Sequence, residues 1–222
     1  MNRMKHLMDS KNPVWLASYP RSGNTYLRTI LWHCFGLRSA SIYPGDLGFN
    51  QRLEDYVGHI ELQRGIESRS LFLESDVQLL KTHQHPDDDR PAIYVIRDGR
   101  AAAVSLWKFY KGNLPLQSIV DGNNQFGSWS AHVKSWNPWE RQKTLLLEYQ
   151  DMVENLPKVL GDVSRFLERD ILSTNIPTRD AIAGVDGRWV KKKSSWKADL
   201  SGDLLKRFNL LNKDMLKKAG YI

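Results

Sequence analysis

Three short stretches of the chain carry residue types that can hold an anion and move a proton. The first is "SYPRSGNT" (18–25), set between the apolar run "VWLA" and the helix-like "YLRTILWHCFGL". A tight turn through Gly23 ahead of a helix start gathers backbone N–H groups around one anion, and the helix dipole adds to the attraction. Ser22 and Thr25 add hydroxyl donors, and Arg21 adds a fixed charge on a planar fork. A triphosphate loop of the form G-x-x-x-x-G-K-[ST] would need glycine at Ser18 and lysine at Asn24, so this is a damaged loop of that kind, an accident of composition or a loop built for another anion. The second stretch is "LLKTHQHP" (79–86), where Lys81 and His83 are aimed at one crevice and an imidazole is the usual general base at neutral pH. His85, two residues on, does not make a metal pair without a third ligand. The third is "AIYVIRDGRAAAVSLWKFY" (92–110), in which Arg97 and Ser105 can reach one phosphate together. Each stretch alone also fits a simpler structure: a turn with no ligand, a surface histidine, an arginine paired with a carboxylate.

The elements that must position these residues are legible around them. "PVWLAS" (13–18) reads as a buried strand, and 23–36 as a helix with Leu27, Ile30, Leu31, Cys34 and Phe35 on one face. "VQLLKT" (77–82), "AIYVIRD" (92–98) and "KTLLLEY" (143–149) read as three more strands. Helices are expected over 99–110, over 151–168 with Asp151 as N-cap, and over 199–218. Segments 38–76 and 111–140 read as irregular. Apolar strands alternating with helices predict an α/β fold: a single domain over 1–222 with a central parallel sheet flanked by helices. Ligands bind at the carboxyl ends of such strands, which here are 18–25, 81–85, 97–105 and 149–151. Those ends supply Lys81, Arg97 and Tyr149, with Asp98 as the one acidic candidate. A site lined in this way neutralises an anion directly, without a metal.

Composition narrows the classes further. Hydrophobic residues make up 41% of the 222 positions and charged residues 26%, as in an ordinary globular protein. The longest apolar runs are about 5–8 residues, far below the roughly 20 that span a bilayer, so no membrane role is expected. "MNRMKHLMDSKNP" lacks the apolar core of a secretory signal, and the single cysteine, Cys34, fits a reducing cytoplasm. The formal net charge of +7 suits an anionic ligand. Nothing resembles a basic zipper helix or a zinc finger, so no specific nucleic-acid partner is expected.

Taken together and in order, the three stretches resemble the sulfotransferases that use 3′-phosphoadenosine 5′-phosphosulfate (PAPS) as donor. That family carries Y-P-[KR]-S-G-x-T-[WY], here Tyr19 to Tyr26; K-T-H, here Lys81-Thr82-His83; and I-x-V-x-R-[ND]-[PG]-[KR]-x-x-x-x-S, here Ile93 to Ser105. "LEYQDM" (147–152) is a weaker fourth match. The resemblance implies a P-loop-like donor loop in which Arg21 meets the 5′-phosphosulfate and Ser22, Gly23, Asn24 and Thr25 wrap the 5′-phosphate. It implies that Tyr26 stacks on the adenine, that Tyr149 lies beside it, and that Arg97 and Ser105 bind the 3′-phosphate. His83 would be the general base, with Lys81 assisting at the sulfuryl group; PAP would be the product and no metal would be needed. In the tail, "GRWVKKKSSWKADL" keeps Trp196-Lys197 but departs from the family's R-K-G clamp, leaving Arg188 or Lys191 to supply that charge. The acceptor implied is a small molecule with a hydroxyl or amine. Tyr43, Phe49, Tyr56, Phe72, Phe109, Tyr110, Phe126 and Trp129 are candidate walls for its pocket. The competing readings are a magnesium-dependent kinase of a small metabolite, an inactive nucleotide-binding module and a basic polyanion binder.

Overall fold

A computed structural model describes residues 13–185 and 195–222. Five strands form one sheet: β1 (Val14–Ser18), β2 (Ser39–Ser41), β3 (Leu79–Thr82), β4 (Ala92–Ile96) and β5 (Thr144–Glu148), in the order β2-β3-β1-β4-β5. Every pairing is parallel; Ala17 is opposite Thr82 on one side and Tyr94 on the other. Parallel strands need crossover connections. Among the described helices, α1 (Asn24–Phe35) links β1 to β2, α2 (Gln51–Val57) and α3 (Ile66–Glu74) link β2 to β3, and α4 (Gly99–Phe109), α5 (Leu116–Val120) and α6 (Trp129–Trp136) link β4 to β5. β3 and β4 are joined without a helix, and α7 (Tyr149–Glu154), α8 (Leu156–Leu167), α9 (Arg179–Val185), α10 (Gly202–Leu211) and α11 (Lys213–Lys218) follow β5.

Side chains alternate across the sheet, so each strand feeds two cores. Leu16, Ile93 and Val95 pack under α1 and α8 with Leu27, Ile30, Leu31, Val159 and Val163. Trp15, Ala17, Tyr94 and Ile96 pack on the opposite face with Ala102, Val104, Trp129, Val133 and Phe208 from α4, α6 and α10. Burial on both faces explains why the strands read as unbroken apolar runs. The α/β expectation holds, with a five-stranded parallel sheet flanked by helices.

Three expectations are corrected. The segment expected as one helix over 151–168 is two, because Asn155 adopts an extended φ of −136° ahead of a helix with proline in its first turn. Asp151 is therefore not an N-cap: that position falls on Glu148, and Asp151 sits in the first turn paired with Lys158 at 2.5 Å. The helix expected over 199–218 is also two, since Asn212 leaves helical geometry and its side chain accepts from the Ser130 N–H at 3.0 Å. Finally, the segments read as irregular hold β2 and helices α2, α3, α5 and α6.

Candidate active site

Three adjacent central strands, β3, β1 and β4, deliver the chemistry to one end of the sheet. After β1 the chain turns through Tyr19–Gly23, where Arg21 takes a left-handed φ of 67° and Gly23 a φ of 110°. A Cβ on Gly23 would stand 2.5 Å from Tyr149 Cδ2, so glycine lets the loop pack against that ring. α1 begins at once, and no side chain caps it. Its first-turn N–H groups thus face the cleft as an anion cradle. Buried Ser22 Oγ has no hydrogen-bond partner among the described residues.

Arg21 and Arg97 meet above this cradle. Arg97 Nη1 donates to the Arg21 carbonyl at 2.9 Å and lies over the Tyr149 ring at 4.4 Å. Arg21 Nε donates to Ser105 Oγ at 3.3 Å, from the second turn of α4, and its guanidinium lies over Phe109. Burial, and then the charge of Arg97, lower the Arg21 guanidinium to about 10, which leaves it charged at neutral pH. Two like charges held this close together suit a multiply charged anion. Asp98, the acidic candidate, is committed elsewhere: it caps α4 by accepting from the Arg100 N–H at 2.9 Å and pairs with the Arg100 side chain.

His83 follows β3. Its Nδ1–H donates to the Ser18 carbonyl at 2.8 Å, which leaves Nε2 as the acceptor nitrogen. The ring stacks on Tyr43 and meets Phe126 edge-on, and its backbone N–H donates to the Tyr43 hydroxyl at 3.0 Å. Burial, and then the Lys81 ammonium, push the imidazole well below its ordinary range, so it is neutral at pH 7. A chain of bonds fixes its backbone: Tyr94 Oη donates to His132 Nδ1 at 2.9 Å, and His132 Nε2–H donates to the His83 carbonyl at 3.1 Å. Lys81 is buried and paired with Asp46.

A cleft of about 840 Å³ collects these groups. It is lined by Arg21, Gly23, Asn24, Thr25, Tyr26, Lys81, His83, Arg97, Ser105 and Tyr149, all expected from the sequence. Ser22 lies beneath the loop rather than on the lining. Asn24 reaches the cleft, but its amide turns into the sheet, donating to the Leu16 carbonyl at 2.9 Å and to Ser18 Oγ at 3.3 Å. Arg188 and Lys191 lie outside the described residues. Of the aromatic candidates, Tyr43, Phe109, Tyr110 and Phe126 line the cleft. Phe72 and Trp129 are buried in the core, Tyr56 packs on a separate cluster, and Phe49 is 54% exposed. Sequence reasoning missed Asp46, Arg28 and His132. Only the fold brings them to the site; Trp196 at the cleft edge was flagged by its neighbours in the tail.

An anion cradle at the first βα turn, two arginines above it and a neutral histidine beside it lie together at one end of an α/β domain built on a parallel sheet. The model of the family described as "Sulfotransferase domain" matches residues 11–182, and the chain belongs to that family. It is 28% identical over 175 residues to Sulfotransferase 1E1 of Homo sapiens, covering 69% of this chain and 58% of that protein. It is 29% identical over 178 residues to Sulfotransferase 1 family member D1 of Mus musculus, covering 71% of this chain and 59% of that protein. The chain thus spans just under three fifths of the length of these relatives. Its fold is shared with the crystal structure of mouse sulfotransferase SULT7A1 complexed with PAP, at a TM-score of 0.56 and 19% identity, covering 93% of this chain and 83% of that one. A crystal structure of retinol dehydratase in a complex with retinol and PAP gives a TM-score of 0.59 at 18% identity, covering 93% of this chain and 81% of that one. Among the described residues no cluster of metal-ligating side chains occurs, and no helix is long and apolar enough to cross a membrane.

Proposed function

We propose that the protein transfers a sulfuryl group from PAPS to a hydroxyl or amine of a small-molecule acceptor. The observation that carries this reading is the shared cleft at the ends of β3, β1 and β4: a neutral base on one side, an uncapped helix start and two arginines on the other. The donor fits the residues present. Its 5′-phosphate matches the α1 N–H cradle with Thr25 on the cleft lining, and its 3′-phosphate matches Arg97 with Ser105. The ring of Tyr149, already under Arg97, and Tyr26 would flank the adenine.

When bound, the donor supplies a sulfur centre with a phosphate leaving group. The chain supplies position and electrostatics, which carry most of the catalysis in such displacements. His83 Nε2 takes the acceptor's proton while Nδ1–H stays on the Ser18 carbonyl, which fixes the tautomer and the direction of the ring. Arg21 and Lys81 meet the negative charge that grows on the bridging oxygen. Arg21 keeps its proton throughout, so it stabilises charge and does not act as an acid. Tyr43, Tyr110 and Phe126 wall the acceptor side. One domain over 1–222 and a cytoplasmic location complete the reading, the latter resting on the lone buried thiol of Cys34.

The test is transfer of label from 35S-PAPS to a panel of phenols, alcohols, amines and sugars in the presence of EDTA. Transfer that survives EDTA, with no phosphoryl transfer from ATP and magnesium, is the expected result. Magnesium-dependent phosphorylation from ATP, with inert PAPS, would overturn the assignment in favour of a kinase.

A further inference from the structure

Beside the acceptor end of the cleft, Lys81 belongs to a buried chain of charge whose other members the reaction above does not use. Asp46, in the loop after β2, is shared by two cations. Arg28 Nη1 from α1 donates to Oδ2 at 2.7 Å, and Lys81 Nζ at the end of β3 pairs with Oδ1. The side chains of Arg28, Asp46 and Lys81 are 0%, 7% and 8% exposed. Arg28 is fixed further by Nε to Ser39 Oγ at 2.9 Å and by Nη2 to His59 Nδ1 at 2.6 Å. His59 in turn faces Glu61, which is itself held by the Gly45 N–H. The sequence separations, 18 residues from Arg28 to Asp46 and 35 from Asp46 to Lys81, give no local reason for the cluster.

We propose that Asp46 is a positioning residue for group transfer: it pins the Lys81 ammonium beside the acceptor and keeps it protonated, while Arg28 competes for the same carboxylate. This rests on the role given to Lys81 above. The groups that face Lys81 come from every element packed on it. Asp46 comes from the β2 loop, Arg28 from α1, Arg21 from the β1 loop, His59 from beyond α2, Tyr43 with its ring 4.8 Å from Nζ, and His83 from its own strand end. Burial, together with Arg28 and Arg21, favours the neutral amine; among the described residues Asp46 is the anion in contact that opposes them. His59 adds no charge, since burial and then Arg28 lower it to about 3. An uncharged Lys81 could not meet charge on the leaving oxygen, so the rate should fall as pH rises through the Lys81 pKa.

The test is the pH profile of kcat with labelled PAPS for wild type, Asp46→Asn, Asp46→Glu, Arg28→Met and Lys81→Met, with PAP affinity measured alongside. Loss of an opposite charge at this distance moves a pKa by about 1–3 units. The alkaline limit of kcat should therefore move down by about 1–3 pH units in Asp46→Asn and largely return in Asp46→Glu. It should move up in Arg28→Met, because Lys81 then has the carboxylate to itself and loses a like charge. PAP affinity should stay within about threefold, since the 3′-phosphate site is separate. If Asp46→Asn does not fold, Arg28→Met still decides the matter, because a purely structural cluster gives no upward move. A rate lowered equally at every pH in Asp46→Asn, or an unmoved limit in Arg28→Met, with Lys81→Met inactive, overturns this proposal alone. Full turnover in Lys81→Met overturns it together with the Lys81 assignment.

Discussion

Replacing Arg97 by methionine separates what this guanidinium does for the empty protein from what it does for a bound 3′-phosphate. In the empty protein the change removes the hydrogen bond to the Arg21 carbonyl and the stacking on Tyr149. Those are worth about 0.5–1.5 and 0.5–1 kcal/mol. Against that loss, the change relieves the repulsion that, after burial, lowers the Arg21 guanidinium. The two effects oppose, and the empty protein should stay within about 1–2 kcal/mol of wild type. Binding has no such compensation. A hydrogen bond from a charged donor to phosphate contributes about 1.5–3 kcal/mol, or about 10- to 150-fold in Kd. At a PAP concentration of about 100 times the wild-type Kd, the ligand stabilises the fold by about 2.7 kcal/mol; after a 100-fold weakening it stabilises by about 0.4 kcal/mol. With about 2–4 °C per kcal/mol for a chain of this size, the PAP-induced rise in Tm should drop from about 5–11 °C to about 1–2 °C. The assay is a thermal melt with PAP and, in parallel, with 5′-AMP, which lacks the 3′-phosphate. The variant should lose the PAP response and keep the AMP response. An unchanged PAP response, or an equal loss with AMP, would refute the assignment of Arg97 to the 3′-phosphate.

Two further outcomes follow from the histidines. His83→Ala should lower kcat by about 10²–10⁴ with PAP affinity unchanged, and the acid limb of the wild-type profile should lie below the ordinary imidazole value of about 6.5, because His83 is held neutral. Full turnover in His83→Ala, or an acid limb at the ordinary value, would remove it as the base. Stability should also fall with acid. Burial, and then neighbouring charge, lowers both His59 and His132 to about 3, so below pH 6.5 the unfolded chain takes up protons that the folded one refuses. Each site then costs up to about 1.4 kcal/mol per pH unit down to its folded pKa. Urea melts from pH 7.5 to 5 should show a steady decline; a flat profile would mean that these rings are solvated.

Strand content was legible because burial on both faces leaves an unbroken apolar signature, as in Ile93, Tyr94 and Val95 of β4. The donor loop was equally plain, since turn, glycine and helix start are contiguous in sequence. β2 escaped notice because "SAS" is three small residues buried by their surroundings, not by their own hydrophobicity. α6 was hidden because Trp129, His132, Val133 and Trp136 lie in a stretch rich in glycine, asparagine and proline; the Ser128 cap, which accepts from the Ala131 N–H, was the local clue. The break at Asn212 goes with a long-range bond from the Ser130 N–H that no periodicity records, whereas the break at Asn155 is marked by the proline in the first turn that follows it. Asp46 and Arg28 could not be paired with Lys81 from sequence, because nothing local links residues brought together by two successive crossovers.

The sideways turn of Asn24 has a consequence for how this loop can change over time. Its amide is tied to the Leu16 carbonyl and Ser18 Oγ, and Ser18 supplies the carbonyl on which His83 rests. A lysine at position 24 would remove both donations beside the strand end on which the histidine rests. Turning this loop into a lysine-bearing triphosphate loop is thus not a single-residue step for this scaffold.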